Sequence, residues 1–145
     1  KTGVFDQLNE EVLIHQKPFL GICLGMQLIF TRSYEFGTTS GFGWVDGEVL
    51  AFPTVAPSVP HIGWNEVIKT KNDSVLLSGF DDDANTYFVH SFAVFDTDKD
   101  WSVGVTNHGR DFTSVVEFEN IFATQFHPEK SQVAGAILLK NFGML

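Results

Sequence analysis

Lys17-Pro18-Phe19-Leu20-Gly21-Ile22-Cys23-Leu24-Gly25-Met26-Gln27 is the stretch from which the rest of the chain can be read. Lys17-Pro18 breaks any helix before it, because proline lacks an N–H and clashes with the preceding turn. Phe19–Cys23 is then a short apolar run suited to a buried strand. From Gly25 the residues read as a helix, expected to reach Phe36. A cysteine between two glycines at a strand-to-helix junction has the logic of the G-x-S-x-G elbow. There the nucleophile sits on a sharp turn and small neighbours relieve crowding. The helix start offers its positive dipole end, which is expected to favour thiolate over thiol. Backbone N–H groups of the first turn, that of Leu24 above all, have no helical partner and can bind a developing oxyanion. The plainer alternative is a core strand that happens to contain G-x-C-x-G.

Working outward, Lys1–His15 places Val4, Phe5, Leu8, Val12 and Leu13 near one face at helical spacing and reads as the end of an amphipathic helix. Gly37–Gly43 reads as a loop. Strands are expected at Trp44–Phe52, Gly63–Ile68, Thr86–His90, Ser102–Thr106, Ser114–Phe118 and Phe122–Gln125, with a short helix at Ser74–Phe80. Ser131–Phe142 closes the chain as a helix with a stripe of Val133, Ile137, Leu138 and Phe142. Strands with helices at intervals define an α/β fold with a mixed sheet. The 145 residues suit one domain, residues 1–145, and the 15 phenylalanines imply an aromatic core.

The formal charge of −9 argues against a nucleic-acid partner, whose phosphates would be repelled. No apolar run is long enough for a membrane helix, and Lys1–Glu11 lacks the apolar segment of a secretory signal, so a cytoplasmic location is expected. The one cysteine excludes an internal disulfide.

A nucleophilic cysteine needs a base near it in space. Of the histidines 15, 61, 90, 108 and 127, His127 stands out, because it follows an apolar segment and lies in Gln125-Phe126-His127-Pro128-Glu129. Pro128 restricts the backbone between His127 and Glu129, so the carboxylate can reach the ring. Glu129 would take the Nδ1 proton and leave Nε2 facing the thiol, as the acid of a catalytic triad does. A turn with a capping acid before the last helix is the structural alternative. Metal binding is disfavoured, since the histidines lack the paired spacing of zinc motifs.

Taken together, Lys17–Gln27 and Ala123-Thr124-Gln125-Phe126-His127-Pro128-Glu129-Lys130-Ser131 resemble the nucleophile and His/Glu segments of class I, triad-type glutamine amidotransferases. Pro60-His61-Ile62-Gly63-Trp64-Asn65 and Tyr87-Phe88-Val89-His90-Ser91-Phe92 resemble the glutaminase subunit family of imidazole glycerol phosphate synthase, from histidine biosynthesis. The resemblance implies Cys23, His127 and Glu129 as the triad. It implies Gln27, Glu35, Ser91 and Phe92 around L-glutamine, and Trp64, Asn65 and Lys130 toward a (β/α)8-barrel cyclase that receives the ammonia. It implies no cofactor. For His61 and His90 a structural role is expected. Relatives of this kind also serve other synthases, as in surface-sugar biosynthesis, and a non-catalytic domain that kept the fold is a further alternative.

Members of the family ordinarily carry a further N-terminal stretch with the first strands and a Gly-rich loop that supplies a second oxyanion donor. Against that pattern the chain reads as N-terminally truncated. It is then expected to form a homo-oligomer through its uncovered edge and to be weakly active or inactive.

Overall fold

Asp111-Phe112-Thr113-Ser114-Val115-Val116-Glu117-Phe118 is rich in β-branched and aromatic residues, and five of its eight side chains in succession are buried. Burial on both faces marks a central strand. The computed structural model describes residues 3–81 and 84–145; Lys1 and Thr2, where the first expected helix would begin, lie outside the described residues. Helix α1 (Val4–Asn9) runs into a π-helical turn, Glu10–Ile14, ahead of β1 (Phe19–Ile22). Cys23 separates β1 from α2 (Leu24–Ile29). There follow β2 (Phe30–Ser33), β3 (Thr39–Ser40), β4 (Val45–Ala51), β5 (His61–Glu66), β6 (Ile68–Lys69), β7 (Asn85–His90) and β8 (Phe92–Ala93). After β9 (Ser102–Asn107), β10 (Asp111–Phe118) and β11 (Ile121–Thr124), a 3-10 turn at Pro128–Lys130 leads into α3 (Gln132–Phe142).

The main sheet has five strands in the order β1-β11-β10-β9-β6. It is mixed, because β1 runs parallel to β11 while β10 pairs antiparallel with both β11 and β9. A second sheet runs β3-β2-β4-β8, and β5 and β7 form a two-stranded ribbon. Side chains alternate across the main sheet into two cores. Val115, Phe122 and Val103 enter one with Phe88, Phe112, Phe126 and Leu138. Val116, Ile121 and Ala123 enter the other with Met26, Ile29, Phe30 and Trp101. The expected aromatic core is present: Phe52 and Phe112, for example, meet edge to face with ring centres 5.6 Å apart.

Several local expectations are corrected. The helix after Cys23 is only Leu24–Ile29; Phe30–Ser33 is a strand, paired in parallel with β4. Its apolar and β-branched residues fit either state, and the pairing partner decides. Ser74–Phe80 forms tight turns, with Ser78 N–H on Val75 O and Phe80 N–H on Leu77 O. The Glu117 carboxylate holds the front of this segment by accepting from Ser74 Oγ and the Leu76 N–H. In the first helix only Val12 is buried, while Val4, Phe5 and Leu13 are exposed. On α3 the buried positions are Gly135 and Leu138, and Val133 faces outward.

Candidate active site

The parallel β1–β11 pairing assembles the site. Ile22 is in register with Thr124, so Cys23 and the Gln125–Glu129 segment leave the same end of neighbouring strands. The Cys23 N–H donates to Thr124 O at 2.7 Å, one last link before the chain turns. Cys23 then adopts φ +50° and ψ −101°, a conformation that L-residues reach only under constraint. Gly21 leaves room for this turn. A Cβ there would lie 2.6 Å from Gly25 O, so the strand and the helix start can approach only with glycine at this position. Gly25 is different, since a Cβ on it would meet nothing within 4 Å. Of the two glycines expected to relieve crowding, only Gly21 does so.

The sulfur is half-buried, with an N–H···S contact from Gln125 Nε2 at 3.7 Å and an S–H···O contact to Val89 O at 3.9 Å. Burial pushes the Cys23 thiol above its ordinary pKa, and the Glu129 and Glu35 carboxylates act in the same direction. The Leu24 N–H and the Gln125 amide act against this and are outweighed. The thiolate-favouring environment expected from the helix start is thus overruled; α2 is six residues long and its dipole is correspondingly weak. The Cys23 sulfur therefore rests as a thiol, and any nucleophilic role would need a base to take its proton.

His127 Nδ1 donates to Glu129 Oε1 at 2.7 Å, which fixes the ring and leaves Nε2 free of that bond. Burial acts to raise the Glu129 carboxyl, but the hydrogen bond from His127 and the charge of Lys130 hold it below its ordinary value. The backbone of His127 is clamped. Its N–H donates to Tyr87 O at 2.9 Å, Ser131 Oγ donates to its carbonyl at 2.6 Å, and the Tyr87 N–H donates to Ser131 Oγ at 3.0 Å. The sulfur's own hydrogen bonds are those to Gln125 and Val89, with none to the His127 ring among the described residues. An apo enzyme commonly tightens such a contact only when substrate arrives.

Beside the sulfur opens a cleft of about 160 Å³, lined by Cys23, Leu24, Gln27, Glu35, Val89, His90, Ser91 and Phe92. All four residues expected around glutamine line it. Trp64, Asn65 and Lys130 lie elsewhere, around the β5–β7 ribbon. Trp64 packs edge-on against Tyr87 at 5.8 Å between ring centres, and Lys130 Nζ lies 5.8 Å from the Tyr87 ring centre. Strand alternation sends Asn65 to the other face, where its amide reaches His61 Nε2 and Asn107 O.

Two features go beyond what the sequence suggested, which gave Gln125 no role and His90 a structural one. Gln125, fully buried, touches the Cys23 sulfur, and only its place inside the His/Glu segment hinted at it. His90 lines the cleft and binds His61 through a 2.9 Å contact between Nε2 and Nδ1. His90 Nδ1 in turn meets Phe92 O at 2.8 Å. The acceptor at Phe92 fixes the tautomers: His90 donates from Nδ1, His61 donates from Nδ1, and Asn65 donates to His61 Nε2. Burial lowers both histidine pKa values, to about 3 for His61 and about 4 for His90, so the pair is neutral at pH 7.

The family model for class-I glutamine amidotransferases matches residues 4–144, and the chain belongs to that family. Among curated relatives it is 45% identical to imidazole glycerol phosphate synthase subunit HisH 1 of Campylobacter jejuni, an alignment that covers 100% of this chain and 72% of that one. It is 44% identical to subunit HisH of Caldanaerobacter subterraneus subsp. tengcongensis, covering 99% of this chain and 69% of that one. In fold it is similar to a glutamine amidotransferase from Thermotoga maritima, with a TM-score of 0.61 at 21% identity. That match covers 97% of this chain and 60% of the solved one, so the chain spans about six tenths of that structure's length.

Proposed function

We propose that this chain is the glutaminase part of an imidazole glycerol phosphate synthase, hydrolysing L-glutamine to glutamate and ammonia. The observation that carries the reading is one juxtaposition. A strained, half-buried cysteine opens into a cleft lined by Gln27, Glu35, Ser91 and Phe92, while the adjacent strand delivers a histidine already bonded to a glutamate.

In this reading Cys23 Sγ attacks the side-chain amide carbon of glutamine as His127 Nε2 takes the thiol proton. Glu129 stabilises the imidazolium through Nδ1. The Leu24 N–H donates to the oxyanion. Collapse of the tetrahedral species breaks the C–N bond, and His127 returns its proton to the leaving ammonia. A thioester remains on Cys23. Water activated by His127 attacks it and releases glutamate and the thiol.

The partner is a barrel-shaped cyclase that takes up the ammonia. Ile62, Trp64, Tyr87 and Val89 share the outer face of the β5–β7 ribbon, with Ile62, Trp64 and Val89 exposed, and Lys130 sits beside them. An exposed apolar face with a large aromatic anchor suits a protein interface. The test is glutamine turnover measured with and without the cyclase of a curated relative. The reading expects turnover to rise on cyclase addition, to vanish in Cys23→Ala, and the rise to be lost in Trp64→Ala. Turnover that survives Cys23→Ala would defeat it.

A further inference from the structure

We infer that Gln125 is a catalytic residue that donates a hydrogen bond to the Cys23 sulfur and stabilises the thiolate formed when the thiol gives up its proton. The inference rests on Cys23 being the nucleophile and adds to it a group outside the triad. Gln125 Nε2 lies 3.7 Å from Cys23 Sγ, within range of an N–H···S bond. An amide at this site could equally present its oxygen to the sulfur, which would repel a thiolate. The surrounding hydrogen bonds exclude that orientation. Gln27 Nε2 donates one hydrogen to Phe92 O at 3.1 Å and the other to Gln125 Oε1 at 3.2 Å. Phe92 O is an obligate acceptor, so the Gln27 nitrogen must face it. The Gln125 oxygen must then face Gln27, and the Gln125 N–H points at the sulfur.

Gln125 is fully buried and its backbone N–H donates to Ser114 O at 2.9 Å, so neither end can swing away. A donor held there before reaction costs nothing to reorganise as charge develops on sulfur. It faces a hostile setting: burial and the Glu35 and Glu129 carboxylates all oppose a negative sulfur. The Leu24 N–H also favours a negative sulfur, but the oxyanion is expected to claim that group. Gln125 is the donor that stays on sulfur throughout. The His127 ring, the His90 ring and the two carboxylates are the titratable groups around it, and none supplies a fixed N–H to the sulfur among the described residues.

The test is the pH dependence of Cys23 alkylation by iodoacetamide, read by intact mass, in the wild type, Gln125→Met and Gln27→Met. Methionine keeps the length of glutamine without its donors. Loss of one hydrogen bond to a charged sulfur is expected to shift the thiol titration upward in Gln125→Met by about one unit, so that alkylation at neutral pH slows about tenfold. Gln27→Met, which frees the Gln125 amide to turn, should shift it in the same direction by less. A folded Gln125→Met that titrates like the wild type overturns the inference; if that variant does not fold, an unchanged titration in Gln27→Met overturns it. Iodoacetamide does not require glutamine recognition, so the outcome is separate from the proposed function. Wild-type protein inert to a glutamine-analogue alkylator would count against the function, whereas an unshifted titration in a protein that such an analogue labels would remove Gln125 alone.

Discussion

At the scale of single residues, two buried polar chains converge on one carbonyl. Phe92 O accepts from His90 Nδ1 at 2.8 Å and from Gln27 Nε2 at 3.1 Å. Through these bonds the wall of the cleft is tied to His61 and Asn65 on one side and to Gln125 and Cys23 on the other. The histidine arm has a consequence for stability. In the unfolded chain His61 and His90 titrate near 6.5, whereas in the folded protein burial depresses them to about 3 and about 4. Between those values the unfolded state binds protons that the native state refuses. Their contribution is fully present above pH 6.5 and is lost as the pH falls toward 4 and then 3. Thermal melts taken from pH 7 down to pH 4 should show a falling midpoint. A His61→Gln, His90→Gln double variant should show a shallower fall over the same range, and equal slopes would remove the pair as the cause. The candidate triad was legible from motifs, because Cys23 and His127 each sit in a dense local signature. The donor roles of Gln125 and His90 were not, since these depend on which neighbour fixes an amide or a ring.

At the scale of elements, the elbow divides its two glycines into a necessary one and a replaceable one. Gly21 lies where β1 passes under the start of α2, and a methyl group there would collide with backbone, 2.6 Å from Gly25 O. Gly21→Ala should therefore destabilise by about 1–3 kcal/mol, as overpacking does. Gly25 sits inside α2 with open space around its Cα, so Gly25→Ala should be neutral or stabilising by up to about 1 kcal/mol. Urea titration of both variants measures the contrast, and equal costs would mean the crossing is looser than described. The main strands were legible because their runs of Val, Phe and Thr have few helical competitors. Phe30–Ser33 was not, since a helix and a strand were both open to it until β4 supplied a partner. Ser74–Phe80 was misread for a similar reason: the Glu117 carboxylate that organises it lies 41 residues beyond Leu76, whose N–H it accepts.

At the scale of the whole molecule, β1 is both the strand that leads into Cys23 and the edge of the main sheet. Its residues Phe19, Leu20 and Ile22 are only half-buried, and beside the cleft Leu24, Leu28 and Phe36 are exposed, Phe36 to 99%. An apolar edge of this kind tends to recruit another strand. We expect the isolated chain to self-associate, giving a light-scattering mass above that of the monomer, and expect Leu20→Lys to weaken the association. A monomer across the micromolar range would contradict this. The α/β class was readable from strands with helices at intervals and the family from the resemblance of its segments, while the division into three sheets among the described residues was not, because pairing between distant strands leaves no local mark.

The most direct measurement is covalent labelling by a glutamine-analogue alkylator, followed by peptide mapping, in the wild type and in His127→Ala. A base that deprotonates a thiol whose pKa burial has raised should matter greatly, on the order of 10²–10⁴ in rate. The predicted result is one adduct, on Cys23, forming far more slowly when the imidazole is absent. No adduct on that sulfur, or the same rate in both proteins, would contradict it.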